Sequence, residues 1–256
     1  MPVYEGRARD GDHAAHSLSH GPCCVSTGEK PAIAAGHTVS KEHRSPTLAY
    51  EGRVWTQGYC HVAGLDEAGR GAWAGPVVAA AVILPARQPD LLQHLSGVRD
   101  SKQLTAARRE MLLDAIQAQA LTWGVGAVPP AEIDTLGIVP ATRKAMSRAL
   151  ANLSPPADFL LIDYLPLPDV ALPQLSLPKG DTLVLSIAAA SIVAKVSRDR
   201  LMVQLDERYP GYGFARHKGY GTPQHQAALQ ALGPCEIHRL SFAPLRRLGE
   251  EQKGEG

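Results

Sequence analysis

The chain has 256 residues, 45% hydrophobic and 20% charged, the composition of a globular protein with enough apolar material for a sizeable core. Its 26 Lys and Arg against 25 Asp and Glu leave a formal charge of +1; this excludes a histone-like polycation but not a nucleic-acid enzyme, which needs basic residues only where phosphates lie. No run approaches the ~18 apolar residues of a membrane span, the start does not read as a secretory signal, and four cysteines (Cys23, Cys24, Cys60, Cys235) without a C-x-x-C read as reduced thiols of a cytoplasmic protein.

Residues 1–56 hold five of the ten histidines and no sustained period, so they read as a poorly ordered extension whose removal leaves the fold intact. Residues 57–248 read as one α/β domain and 249–256 as a flexible tail. Tyr59 to Leu65 reads as a strand, DEAGRGAWAGP as a glycine-rich turn, and Val77 to Leu84 as a second strand stopped by Pro85, the two forming an antiparallel pair. Thr105 is placed to cap a helix with Leu104, Met111, Leu112 and Ile116 on its apolar side. Leu121 to Val128 reads as a strand, and helices follow near Pro130–Leu136 and Pro140–Leu153. DFLLID, Asp158 to Asp163, reads as a fully buried strand. A proline-rich stretch leads to Lys179-Gly180-Asp181, a long helix runs from about Thr182 to Arg208, and a last helix starts at Pro223.

Four acids stand at strand or helix ends: Asp66 and Glu67 after CHVAGL, Asp163 after DFLLI, and Asp181 at the mouth of the long helix. Neighbouring carboxylates raise each other's pKa unless a cation neutralises them. Carboxylates without clustered Cys or His suit hard cations such as Mg²⁺ or Mn²⁺, which serve phosphoryl transfer. Gly69, Gly71 and Gly75 lack G-x-G-x-x-G spacing and precede a strand, so a dinucleotide site is excluded; these glycines fit a tight turn or a close backbone approach to a ligand.

GLDEAGRGAWAGPVVAAAVIL from Gly64, then DSKQLTAARRE, LLID, KGDTLVLSIAAASIVAKVSRDRLM, YPGYGFARHKGYGT and HRLSF resemble, in this order, type 2 ribonuclease H, the ribonuclease HII family. The resemblance covers about residues 60 to 248. It implies a ribonuclease H-like mixed sheet flanked by helices, with a C-terminal helical part. It also implies cleavage of the RNA strand of RNA–DNA hybrids and incision 5′ of single ribonucleotides in duplex DNA, leaving 3′-hydroxyl and 5′-phosphate ends, with Mn²⁺ or Mg²⁺. On it, the catalytic and metal-holding carboxylates are Asp66, Glu67, Asp163 and Asp181. The substrate-reading turn is Gly69, Arg70 and Gly71, and the junction-reading tyrosine is Tyr220. Two positions depart from the family pattern: Tyr164 stands where glycine is usual after Asp163, and Ala72 where proline is usual after Gly71. Residues 1–56 are too short for the extra N-terminal domain of the type 3 relative.

Nine Lys and Arg against four Asp and Glu between Lys195 and Leu248 suggest a surface for a duplex backbone, with Lys195 and Arg198, and above all His217 and Lys218, as phosphate contacts. Trp55, Trp73 and Trp123 read as packing residues. The expected partners are RNA–DNA hybrid and ribonucleotide-containing duplex DNA, bound by a monomer with no membrane partner. A replication-clamp contact is not expected, because GEEQKGEG after Leu248 has no aromatic anchor. A non-catalytic hybrid-binding module would show a missing carboxylate, and none is missing; a junction resolvase would show a dimer surface.

Overall fold

The computed structural model describes residues 45–86 and 88–246. In chain order these form α1 (Ala49–Thr56), β1 (Val62–Ala68), β2 (Val77–Ile83), α2 (Leu91–His94), α3 (Ala106–Gln119), β3 (Thr122–Val128), α4 (Pro130–Leu136), α5 (Ile138–Ala151), β4 (Phe159–Asp163), β5 (Gln174–Leu177), α6 (Leu185–Arg208), α7 (Phe214–His217) and α8 (Pro223–Leu232). The strands make one mixed sheet in the order β3-β2-β1-β4-β5. The β1–β2 and β2–β3 pairs are antiparallel; β1–β4 and β4–β5 are parallel.

Strand β2, VVAAAVI, is buried along its whole length, as expected of a strand covered on both faces. Val78, Ala80 and Val82 face α3 and α6, whereas Val77, Ala79, Ala81 and Ile83 face α5; the period of two sends alternate side chains into two cores. The small residues let the helices sit close. A Cβ on Gly64 would lie 2.2 Å from the Ser186 carbonyl carbon of α6, and one on Gly126 would lie 2.2 Å from the Ala145 oxygen of α5. The Thr105 hydroxyl accepts the Arg108 N–H at 3.3 Å, capping α3 as its sequence predicts.

Three expectations change. Strand β1 begins at Val62 and runs on to Ala68, so Asp66 and Glu67 lie inside it, paired with Ala80 and Ala79. The Asp158 carboxylate accepts the N–H groups of Cys60 and His61 at 2.7 and 3.0 Å, holding that segment by side-chain bonds before the ladder starts. The proline-rich stretch contains β5, whose four residues pair with β4 from Leu160↔Gln174 to Asp163↔Leu177. Finally, residues 49–56 belong to the fold. Val54 packs with Val62, Phe159 and Ile187, and Glu51, 0% exposed, accepts the Ser186 N–H at 2.8 Å. Thr47 exchanges backbone bonds with Leu183 and Leu185. The boundary expected at residue 57 therefore falls earlier. The apolar side of one two-turn helix was too short to register as a period, and its partner lies far along the chain. The rest of the expected extension, residues 1–44, and the expected tail, residues 249–256, lie outside the described residues.

Candidate active site

The parallel pairing builds the site. Because Leu65 pairs with Ile162, the next residues, Asp66 and Asp163, stand side by side on neighbouring strands. Asp163 pairs with Leu177, and the chain beyond Leu177 turns through Lys179 (φ +59°) into a short 3₁₀ turn, Gly180–Thr182, that carries buried Asp181. The Gly180 N–H donates to Asp163 Oδ1 at 2.7 Å, tying the two acids together. The four expected carboxylates thus meet at one end of the sheet.

Their electrostatics show the crowding. Burial, then the charges of Glu67, Asp163 and Asp181, push the Asp66 carboxyl well above the usual carboxylate range. Burial, then Asp100 and Asp163, push Asp181 to about 6. Asp163 is also raised by burial, against the Gly180 N–H and Lys102, and Glu67 by burial, against the Arg70 guanidinium 3.2 Å away. Burial lowers the Lys102 ammonium, but Asp100, Asp66, Asp181 and Asp163 outweigh it and raise it. Asp100 and Lys102 are the site residues that sequence reasoning missed. The signal was DSK itself, an acid and a base flanking a buried serine. Ser191 of α6, read only as a small packing residue, bonds Ser101 Oγ at 2.8 Å and fixes that turn.

Among the described residues, no three acidic, histidine or cysteine side chains are arranged, as they stand, to hold a metal ion. The donor chemistry nevertheless fits a hard divalent cation. Asp66 Oδ1, Glu67 Oε1 and Asp163 Oδ1 are engaged by Glu67 N–H, Arg70 and Gly180 N–H, while Glu67 Oε2 is buried without a hydrogen-bond partner. A buried carboxylate oxygen without a donor is costly, and a cation relieves both that cost and the mutual repulsion.

The glycine turn and the Tyr220 loop are built differently, on two buried arginines. Arg198, 0% exposed, donates to the carbonyls of Pro76, Ala74 and Lys218 at 2.9, 3.1 and 2.9 Å. Arg239 donates to Gly75 and Arg70 carbonyls at 2.9 Å each, and the Trp73 N–H donates to the Gly219 carbonyl at 2.8 Å. Gly69 (φ +91°) is required by this clamp, since a Cβ there would lie 2.0 Å from Arg198 Nε, whereas a Cβ on Gly71 would meet nothing within 4 Å. The close approach expected at Gly69 is therefore to Arg198; Gly71 is the position open to a ligand. The Tyr220 ring, 36% exposed, lies 5.4 Å from the Arg198 guanidinium and 5.7 Å from the Lys195 ammonium.

This corrects the reading of the basic C-terminal segment. Arg198 and Arg239 are interior, and Lys195 is paired with Asp199 at 2.7 Å. His217, 8% exposed, donates from Nε2 to the Tyr212 carbonyl at 2.8 Å and accepts the Gly219 N–H on Nδ1 at 3.2 Å, so both ring nitrogens serve the loop and neither is offered to a phosphate. Lys218 Nζ donates to the Ala215 carbonyl. His225 donates from Nδ1 to the Tyr220 carbonyl at 3.0 Å and is 3.0 Å from His238 through the Nε2 atoms, completing a buried imidazole chain behind Tyr220.

A ribonuclease H-like sheet that gathers acidic side chains at the ends of its parallel strands defines the class, a metal-dependent hydrolase. The family model described as Ribonuclease HII matches residues 63–245. The chain belongs to the ribonuclease HII family and is a metal-dependent endoribonuclease. Ribonuclease HII of Chloroflexus aurantiacus is 56% identical over 203 residues, 78% of this chain and 94% of that protein. Among solved structures, ribonuclease H2 from Pyrococcus horikoshii matches with a TM-score of 0.63 at 27% identity, covering 75% of this chain and 98% of that one. Ribonuclease HII from Archaeoglobus fulgidus, solved in complex with PCNA, matches with a TM-score of 0.60 at 28% identity, covering 71% and 95%.

Proposed function

We propose that this endoribonuclease cleaves the RNA strand of RNA–DNA hybrids and incises 5′ of single ribonucleotides in duplex DNA, leaving 3′-hydroxyl and 5′-phosphate ends. The observation that carries the reading is the meeting of Asp66, Glu67, Asp163 and Asp181 at one sheet end with raised carboxyl pKa values. These four would hold two divalent cations, Mn²⁺ or Mg²⁺, which when bound supply an activated water and a counter-charge for the departing 3′ oxygen.

The chain's own groups do the rest. Lys102, held charged by the surrounding acids, faces the scissile phosphate as a fixed cation. Recognition of a ribonucleotide requires polar groups near the 2′-hydroxyl; the open side of Gly71 lets the Arg70–Gly71 backbone approach it. The Tyr220 ring, held from behind by Arg198 and by His225 at its carbonyl, packs against the next sugar on the 3′ side, which at an isolated ribonucleotide is deoxyribose.

The test is cleavage of a duplex with one embedded ribonucleotide beside the same all-DNA duplex, with Mn²⁺, with Mg²⁺ and with chelator. Incision 5′ of the ribonucleotide, with metal only, is the expected result; incision of the all-DNA duplex, or none of either with metal, overturns the reading.

A further inference from the structure

Asp163 closes β4, and the residue after it turns the chain. Tyr164 has φ +59°, in the left-handed region that disfavours any residue with a Cβ. The Leu165 N–H donates to the Asp163 carbonyl at 2.7 Å, so Tyr164 is the centre of a γ-turn with positive φ, the rarer and more strained form. The turn itself has a clear purpose. It sends Leu165 and Leu167 into the interior, while the Tyr164 N–H donates to the Leu177 carbonyl at 3.1 Å and keeps Asp163 in register with the approach to Asp181. All of this is done by backbone, and glycine would do it without strain.

The side chain needs another explanation. The Tyr164 ring is 62% exposed and belongs to none of the apolar clusters among the described residues. Neither the turn nor the core uses it. Its position is not isolated either. The non-glycine residues with positive φ among the described residues are Tyr164, Lys179 and Lys218. One follows Asp163, one precedes Gly180-Asp181, and one stands two residues before Tyr220. Backbone strain of this kind gathers where a side chain must be presented rather than packed. Here two of the three positions, Tyr164 and Lys179, lie next to or within two residues of the acids in the chain.

We propose that Tyr164 is a substrate-contact residue. Its ring packs against the sugar faces of the nucleic-acid backbone next to the scissile phosphate, at the β4 edge of the acidic site. This rests on the nucleic-acid reading above and deepens it: the contact is apolar and made to sugar, so it is indifferent to base sequence and adds affinity without taking part in bond cleavage. The acidic end by itself repels a phosphate backbone, and an uncharged ring can lie there without adding another charge.

The experiment uses the full chain and the variants Tyr164→Gly, Tyr164→Asn and Tyr164→Phe. Gly and Asn both tolerate left-handed φ. Thermal midpoint, KM and kcat on an RNA–DNA hybrid with Mn²⁺, and Kd for the same hybrid in chelator are measured for each. Tyr164→Gly and Tyr164→Asn should melt at or above the wild-type midpoint. Their KM and Kd should rise about five- to tenfold, in the range of a lost aromatic contact to nucleic acid, with kcat within about twofold. Tyr164→Phe, which keeps the ring, should recover most of the lost affinity. A midpoint lowered by more than about 3 °C in both small variants would make Tyr164 a packing residue. Unchanged KM and Kd in stable variants would leave the ring idle. Either result overturns the proposal while wild-type cleavage still upholds the enzyme reading; a wild type inactive on the hybrid removes both.

Discussion

The two halves of the site handle buried charge in opposite ways. At the sheet end, burial and then neighbouring acids raise the carboxyl pKa values of Asp66, Glu67, Asp163 and Asp181, and Glu67 Oε2 has no donor; at the glycine turn, Arg198 and Arg239 are as deeply buried but aim N–H groups at five carbonyls. The first arrangement costs stability and is completed by cations from outside. The second is met largely from within, with Arg239 Nη2 the one nitrogen of the two guanidiniums left without a partner, and it holds the glycine turn and the Tyr220 loop as one body. Like charges crowded together mark chemistry here, and guanidiniums bonded to backbone carbonyls mark architecture.

Mutating each half should therefore separate activity from stability. The largest effect is expected of Asp163→Asn. The amide oxygen can still accept the Gly180 N–H, but one negative charge is lost from the cation site. Cleavage should fall at least about a thousandfold, roughly 4 kcal/mol of transition-state stabilisation, while the metal-free midpoint stays level or rises. Near-normal turnover at saturating Mn²⁺ would remove Asp163 from the catalytic set.

Arg198→Met should do the reverse in kind. Three carbonyls lose their donor, and hydrogen bonds to charged groups are worth about 1.5–3 kcal/mol each, so a loss of at least about 3 kcal/mol is expected, or roughly 6–12 °C in midpoint for a domain of this size. Arg198→Lys should recover little of it, because one ammonium cannot reproduce the planar fork. A stable Arg198→Met protein with weakened salt-dependent DNA binding would instead return Arg198 to the phosphate-contact role.

Glu51→Ala tests the third buried charge, which lies outside both halves. It removes the acceptor of the Ser186 N–H at the first turn of α6 and leaves a small cavity, so a loss of about 2 kcal/mol is expected, read as a midpoint lower by about 4–8 °C. An unchanged midpoint would mean that α1 is dispensable, as the sequence alone suggests.

The smallest effect is a pH dependence. Asp181 sits at about 6, above its ordinary 3.8, so the folded protein holds that proton more tightly than the unfolded chain does. The stability it contributes is present below about pH 4 and lost as pH rises through about 6. Buried His225 and His238, both lowered to about 4 mainly by burial, act in the opposite direction, so the informative quantity is the difference between wild type and Asp181→Asn. Without metal, Asp181→Asn should melt about 1–3 °C higher at pH 7, a gap that narrows below about pH 6 and closes by about pH 4. Affinity for the cation should weaken as pH drops below about 6, because the proton then competes with the cation for the Asp181 carboxylate. A gap that widens on acidification would reverse the sign assigned to Asp181.

Where a local pattern was complete, the sequence was sufficient. DFLLID gives strand β4 with Asp163 at its end, VVAAAVI gives the doubly covered β2, and Thr105 gives the cap of α3. The four carboxylates could be named because their type and their place after apolar runs are properties of short segments. The Tyr164 departure could likewise be seen as a departure, though not that its φ is positive. What the sequence could not supply was the far partner. β5 is four residues long and exists because β4 lies beside it.

Sequence by itself determined the elements with a complete local pattern, the acids and the glycines; only the tertiary structure added α1 and β5 and decided which charges are inside. Arg198 meets Pro76 across 122 residues, Arg239 meets Gly75 across 164, and Glu51 meets Ser186 across 135. A charge count along the chain treats an arginine on a phosphate-binding surface and an arginine on buried carbonyls alike. The energies of the two differ through desolvation and hydrogen bonding, and those depend on which distant backbone closes over the side chain.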